Sequence, residues 1–270
     1  QEYMNCKDTT QKTALLTKMR NHGNHLHNVK VLKTGQGVLI VAHRPSDVDK
    51  HVPEDYVPCP TCYGYFQEKL LYRHKCPLSE TTQPKGSSRV MKGRLLLPMD
   101  TNNEEFAEFM HSFRCDPVSR CAKSDPLIVK FAEAQFDKNG HNLHRHNYIR
   151  ENVREVAKVL VELRKEGGES ANLGFFLAPD KYDTVVQAVK RLCGFKPGHD
   201  VTNPSLALKI GIQLKKCAMV AKAQALQKSD LVAETNCDKF MQLMEMTWNV
   251  QVSSHGSRVL QNQKRNQPQL

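Results

Sequence analysis

The chain has 270 residues, of which 39% are apolar and 25% are charged, and its net charge is +11 at pH 7. This length allows one large domain or two smaller ones, and the positive charge favours an acidic partner, most commonly nucleic acid. No apolar run approaches the roughly 18 residues of a membrane span, and no apolar stretch typical of a signal peptide precedes Lys18, so we expect neither a membrane span nor a signal peptide. The nine cysteines are therefore expected to be reduced thiols in an intracellular compartment.

The first segment, residues 1–52, is predicted to hold one helix and a short hairpin. Leu15, Leu16 and Met19 mark one side of a helix over residues 9–22, and the His-Gly-Asn run at 22–24 would end it. Strand-like runs follow at 29–32 and 38–42. The residues between them include two glycines, which is typical of a hairpin turn.

The sharpest signal is a compact unit at residues 53–78 that combines cysteines with a histidine. Cys59 and Cys62 are separated by two residues, and His74 and Cys76 follow after a further eleven. Two cysteines at this spacing can bring both thiolates to one tetrahedral Zn²⁺, and the second pair completes the ligand set. We predict a ββα-like finger that folds on Zn²⁺ binding, because its apolar core is too small to fold alone.

Two spacings in this unit depart from the common finger pattern. The middle gap is eleven residues rather than about twelve, and the last gap is one residue rather than about three to five. On a regular helix His74 and Cys76 would point apart, so we expect the helix to end at His74. His51 is a candidate replacement for the fourth ligand. The alternative interpretation is two unrelated buried thiols.

Residues 79–98 have the composition of a basic flexible linker. Four cations without an intervening acid could neutralise phosphates of a nucleic acid: Lys85, Arg89, Lys92 and Arg94. The alternative is a solvated linker without a ligand.

Residues 99–262 are predicted to form an all-helical domain, followed by a tail at 263–270 that we expect to be a cut end. Helix starts are marked by the pairs Asp116-Pro117, Asp125-Pro126 and Asn203-Pro204, because Asp and Asn cap free N–H groups and proline fits the first turn. Apolar periodicity predicts helices over 142–166, from 179 to 194, from 204 onward and over 230–250. The fold class is therefore mainly α, a small zinc-stapled finger followed by helices.

The remaining histidines and cysteines have simpler interpretations. His141, His144 and His146 do not share a helix face, so we expect a polar helix start capped by Asn142 rather than a metal site. Cys115 and Cys121 are predicted to be buried thiols, with a second metal site as the alternative. Three further cysteines fall on apolar helix faces and are assigned to the core: Cys193, Cys217 and Cys237.

The sequence lacks the common catalytic motifs. It contains no G-x-x-x-x-G-K-[ST] phosphate loop and no G-x-S-x-G nucleophile motif, and no acidic pair of nuclease type stands out. We therefore expect no enzyme in this chain and identify no small-molecule substrate.

Several stretches together resemble a known group of animal proteins, common in fish and marine invertebrates. These proteins have one N-terminal zinc finger, a helical region and a C-terminal part similar to tyrosine recombinases of Crypton-type mobile elements. The resemblance covers about residues 20–270 and rests on residues 25–37, Arg44-Pro45, 56–66, 71–76, 123–128, 141–148, 204–210 and Trp248. It carries over the zinc ligands Cys59, Cys62, His74 and Cys76, and it implies that the recombinase part, with its catalytic residues, begins beyond Leu270.

The resemblance implies a nuclear, DNA-associated protein derived from a mobile element. Our expectation is a zinc-binding, non-catalytic region of a recombinase-like protein with double-stranded DNA as its partner, in which the helical domain supplies DNA backbone contacts or self-association. The alternative is a protein-interaction module with a structural finger and no nucleic-acid role. A third alternative is a degenerate element whose finger binds Zn²⁺ weakly or not at all.

Overall fold

The structure, a computed structural model, describes residues 8–42, 53–78, 86–99, 101, 103–168, 170–197 and 200–265. The chain forms two compact units, Gln1–Phe113 and Arg114–Leu270, which we call the finger unit and the helical unit. Over the described ranges the fold is mainly helical with one two-stranded sheet, which confirms the predicted fold class. The division falls at Phe113, later than residue 99, where we expected the helical domain to begin.

The finger unit begins with a long helix, α1, over Thr9–Thr34. Asp8 caps its first turn, and Gly35 ends it with a left-handed φ of 67°. The predicted hairpin over 29–42 is wrong, because residues 29–34 continue the helix. Its buried face carries His25 and Asn28 beside Val31. Because two of these side chains are polar, the positions of the apolar residues alone do not show the helical period.

The segment after α1, residues 36–42, forms no strand. The Asn28 side chain donates to the Ile40 carbonyl and accepts from the Ile40 N–H, both at 2.8 Å. The Ala42 N–H donates to the Tyr65 carbonyl at 2.9 Å. Asn28 therefore replaces the backbone partner that the predicted first strand would have supplied.

The sheet consists of β1, Tyr56–Pro58, and β2, Tyr65–Gln67, which pair antiparallel with Val57 opposite Phe66. A six-residue 3₁₀ helix, Glu68–Arg73, follows β2. The third element of the finger is thus shorter and tighter than the α-helix of the expected ββα form.

A helix, α2, occupies Gly86–Arg94 within the expected flexible linker. It packs closely on β1, since a Cβ atom added to Gly93 would lie 2.3 Å from the Pro58 carbonyl oxygen. A short helix, α3, follows over Glu104–His111, and Asn103 caps it by accepting from the Phe106 N–H at 3.0 Å.

The helical unit contains the predicted helices close to their expected bounds. They are α4 (Pro117–Ser124), α5 (Pro126–Asn139), α6 (Leu143–Gly167), α7 (Tyr182–Cys193), α8 (Pro204–Gln227) and α9 (Leu231–Trp248). Asp116 and Asp125 cap α4 and α5 as predicted, whereas the Asn203 side chain makes no capping hydrogen bond. The apolar face of α6 is fully buried and forms the centre of the unit's core.

The chain does not leave the helix after α9. A five-residue π-helical turn, Asn249–Ser253, leads into a further helix, α10, over Ser254–Arg265. No periodic apolar pattern predicted α10, whose last residues lie in the expected tail from residue 263. Gly256 lets α10 pack closely against the first turn of α8, because an added Cβ would lie 2.8 Å from the Pro204 carbonyl oxygen.

Four of the cysteines assigned to the helical core are buried, namely Cys121, Cys193, Cys217 and Cys237. Cys115 is exposed, contrary to expectation, because it lies in the bend before α4 rather than on a helix. No helix within the described ranges is long and apolar enough to cross a membrane.

Candidate metal centre

The structure brings the four predicted ligands together. One donor atom from each of Cys59, Cys62, His74 and Cys76 lies within 4.8 Å of the other three. Cys62 Sγ is 3.3 Å from His74 Nε2. Tetrahedral Zn²⁺ with Zn–S bonds of about 2.3 Å needs sulfurs about 3.8 Å apart, so small side-chain rotations suffice to bind an ion. The four side chains therefore fit a single tetrahedral metal ion.

The loop between β1 and β2 positions the first ligand pair. The Cys59 N–H donates to the Gly64 carbonyl at 2.8 Å, and the Tyr63 N–H donates to the Cys59 carbonyl at 2.9 Å. Tyr63 has a left-handed φ of 59°, which folds the loop back on itself. Backbone N–H groups of Thr61, Cys62 and Gly64 then point at the sulfurs, those of Thr61 and Cys62 at Cys59 and that of Gly64 at Cys62.

The second pair explains why the short final gap is compatible with a site. His74 follows the 3₁₀ helix and has extended backbone angles, φ −67° and ψ 116°. Side chains two residues apart lie on the same side of an extended chain, so His74 and Cys76 both face the first pair. The expectation that the helix ends at His74 is confirmed. The Phe66 ring stacks on the His74 imidazole with centroids 4.1 Å apart.

The thiols influence one another's protonation strongly. A hydrogen bond from the Cys62 thiol lowers the pKa of Cys59 to about 3, and the same hydrogen bond raises the pKa of Cys62 well above its ordinary value. Burial raises the pKa of Cys76, against a hydrogen bond from the Leu78 N–H. One sulfur therefore carries negative charge, and a bound cation would displace the protons that the other thiols hold.

The candidate ligands also form part of the hydrophobic core of the finger unit. Cys59 and Cys62 are 0% and 3% exposed, and they pack with Val57 and Leu71. Val90 of α2 contacts the same cluster. A second cluster joins α1 to the sheet through Val31 and Tyr65. The finger is thus embedded in a larger domain that includes α1 and α2.

Arg89 and Arg94, two of the predicted nucleic-acid contacts, have their guanidinium groups inside the finger unit. Arg89 is 4% exposed and donates to the His74 carbonyl at 2.6 Å. Arg94 forms an ion pair with Glu68 and donates to the carbonyls of His111 and Phe113, each at 3.0 Å. These contacts give both arginines a role in stabilising the fold around the ligands.

The other two predicted contact residues differ in position. Lys92 is exposed on α2. Lys85 and the candidate replacement ligand His51 lie outside the described residues. The role of Arg89 was missed because its position behind His74, fifteen residues away in the chain, leaves no local pattern in the sequence.

The histidines before α6 are arranged as the simpler interpretation predicted. Asn142 caps the helix by accepting from the His144 N–H at 3.0 Å, and His146 Nε2 lies 2.7 Å from the Gly140 carbonyl oxygen. In the part of the chain that the structure describes, the Cys₃His cluster is the only group of three or more such residues close enough to share an ion.

Comparison of the chain with protein-family models, with curated proteins and with solved structures gives no match. The function of this chain is therefore inferred from its candidate site and its surface.

Proposed function

We propose that the protein is a zinc-stabilised, DNA-associated and non-catalytic region of a mobile-element-derived, recombinase-like protein that acts in the nucleus. The metal centre supports the first part, and the distribution of charge supports the second. The recombinase relationship rests on the sequence resemblance alone.

The donor set favours Zn²⁺ as the ion. Three thiolates and an imidazole at tetrahedral spacing are typical of structural zinc sites and do not suit Mg²⁺ or Ca²⁺, which prefer oxygen ligands. A full set of four protein ligands leaves no coordination position for water or a substrate. The centre therefore supports a structural rather than a catalytic role for the ion.

The observation that carries DNA association is the excess of positive charge on the helical unit. Residues 114–270 contain 24 Lys and Arg against 16 Asp and Glu, whereas residues 1–113 contain 15 against 12. Nucleic acid is the most common partner for such a surface. The finger is poorly suited to base recognition, because its third element is a six-residue 3₁₀ helix rather than an α-helix that enters the major groove of DNA.

A second candidate function is protein interaction, and the surface of α8 favours it. Ile212, Met219 and Leu226 are 58%, 57% and 53% exposed and recur every seven residues. Such a row supplies one of the two apolar positions per heptad that a helix-packing seam uses. It also agrees with the self-association expected of the helical domain.

Zinc stoichiometry of the purified protein tests the metal centre. We expect one Zn²⁺ per chain by elemental analysis, and none in a protein carrying both Cys59→Ala and Cys62→Ala. The matched control is Cys115→Ala, an exposed cysteine outside the cluster, which should retain the ion. A wild-type protein without Zn²⁺, or a double variant that keeps it, would show that the cluster is not the site.

Binding of duplex DNA at increasing salt tests the DNA association. Counterion release predicts that the logarithm of the binding constant falls linearly with the logarithm of salt concentration, with a slope of about −0.9 per phosphate contact. We expect a steep slope for the whole chain by fluorescence anisotropy. Binding that is absent at low salt, together with dimerisation in sedimentation experiments, would favour the protein-interaction function.

A further inference from the structure

A groove in the helical unit combines positive charge with aromatic and apolar surface. It lies between α5, the start of α6 and α8, and its volume is about 480 Å³. Its lining includes three cations and three apolar or aromatic side chains: Lys138, Arg145, Lys216, Phe131, Tyr148 and Met219. We call it the α5–α8 groove.

The cations of this groove are available to a ligand. Lys138 and Arg145 are exposed and Lys216 is half-buried, and none of the three forms an ion pair with a described carboxylate. No Asp or Glu lines the groove. Three positive charges that line one groove without an acidic residue among the lining create a site for an anion, because repulsion between them is relieved when a negative group binds.

Two other grooves of the same unit show that this arrangement is not general. In the groove beside Trp248, Lys215 is ion-paired with Glu245. In the groove at the start of α8, Glu155 lies among the lining residues with Lys158 and Lys209. Both therefore carry their own negative charge, and neither presents an unneutralised set of cations.

The uncharged part of the α5–α8 groove indicates which polyanion it suits. Phe131 is buried and forms part of the lining, while Tyr148 and Met219 remain 43% and 57% exposed. A duplex could place its phosphates at the cations, but it would leave this apolar surface exposed to water, because the bases of a duplex are stacked inside it. An unpaired strand uses both, because its bases stack on aromatic rings while its phosphates contact Lys and Arg.

We infer that the α5–α8 groove binds a single, unpaired strand of DNA, with phosphates at Lys138, Arg145 and Lys216 and a base against Tyr148. This inference rests on the proposed DNA association. It names the unpaired strand as the form of DNA that binds and the α5–α8 groove as the surface that binds it. It uses no residue of the finger unit, so the metal centre is not part of the contact.

The test compares binding of a labelled oligothymidine of about 20 nucleotides, longer than the roughly 4–16 nucleotides that one single-strand-binding OB fold covers, with binding of its duplex. The groove variant carries Lys138→Gln, Arg145→Gln and Lys216→Gln. The matched control, Lys196→Gln, Lys228→Gln and Lys239→Gln, removes three exposed cations of the same unit. Trp248 fluorescence, from the only tryptophan of the chain, confirms that each variant is folded.

We expect the groove variant to bind the single strand at least about tenfold more weakly than the control variant. Its slope against salt should be lower by about 2, since each lost phosphate contact on a single strand removes about 0.7. Tyr148→Leu should weaken single-strand binding by about fivefold or more and leave duplex binding unchanged, because only an unpaired base stacks on the ring.

The outcomes separate this inference from the function on which it rests. A wild-type protein that binds neither form of DNA would overturn both. Binding that the groove and control variants weaken equally would overturn the groove alone. Equal losses for strand and duplex, with no effect of Tyr148→Leu, would overturn the assignment to an unpaired strand.

Discussion

The Asp116 carboxylate joins two helices of the helical unit. Its Oδ1 atom accepts from the Ser119 N–H at 2.8 Å, which caps α4, and from Arg154 Nη1 of α6 at 2.9 Å. Its Oδ2 atom accepts from Arg154 Nη2 at 2.7 Å. Burial raises the pKa of Asp116, but the hydrogen bonds from Arg154 and Ser119 outweigh it and hold this pKa well below its usual value.

This depressed pKa makes the helical unit sensitive to acid. The unfolded chain takes up a proton at Asp116 near pH 4, before the folded protein does, so the carboxylate's contribution is complete above about pH 5 and is lost as pH falls towards 2. Asp116→Asn keeps a capping oxygen but removes the charge. We expect it to lower the free energy of unfolding at neutral pH by about 1–3 kcal/mol and to flatten its decline in acid.

Urea unfolding followed by Trp248 fluorescence at several pH values measures this effect. Asp180→Asn is the control, because Asp180 is an exposed acid whose ion pair with Lys181 should contribute little. If the Asp116→Asn and wild-type stabilities fall in parallel between about pH 5 and pH 2, the proposed linkage is wrong.

At the level of elements, two glycines within helices of the finger unit have opposite surroundings. An added Cβ at Gly93 of α2 would meet the Pro58 carbonyl oxygen and lie 2.7 Å from Val57 Cγ1, whereas nothing lies within 4 Å of an added Cβ at Gly23 of α1. The first glycine permits α2 to pack on the strand that leads into Cys59. The second has no such packing role and leaves α1 less stable than alanine would.

The paired variants are therefore expected to change stability in opposite directions. Gly93→Ala should destabilise the finger unit by about 1–3 kcal/mol and weaken Zn²⁺ binding, because Pro58 must move and Cys59 follows it. Gly23→Ala should stabilise it by about 0.5–1 kcal/mol. Thermal unfolding by circular dichroism and competition with a zinc chelator give the two readouts. Unchanged zinc affinity in Gly93→Ala would mean that α2 does not support the ligand loop.

The elements differ in how well the local sequence predicts them. The Asp-Pro starts predicted α4 and α5 because a cap and a proline act within one turn. In contrast, α2 depends on contacts distant in sequence, such as that of Arg89 with His74, and its composition resembles a linker. The four candidate ligands could be predicted from spacing alone. Their convergence depends on the extended backbone at His74, which spacing does not specify.

At the scale of the whole molecule, the two units should respond differently to loss of metal. In the finger unit the cysteines are both candidate ligands and core residues, whereas the helical unit has a separate core centred on α6. We expect a chelator to remove part of the helical circular dichroism and to expose amides of the finger unit to hydrogen exchange. Trp248 emission should stay unchanged, because its surroundings belong to the other unit.

A matched addition of Ca²⁺-saturated chelator controls for effects other than zinc removal. A shift in Trp248 emission on chelation would show that the helical unit depends on the metal as well. Full protection of the finger unit in the presence of chelator would show that its core folds without an ion.

The π-helical turn at Asn249–Ser253 sets the rotational position of α10 about its axis relative to α9. A π turn contains about one residue more than an α turn. Removing one residue there, for instance the exposed Val250, would rotate everything downstream by about 100° and turn Gly256 away from Pro204. The packing of α10 on α8 therefore depends on the number of residues in this turn. We expect α10 to tolerate many substitutions better than a single deletion.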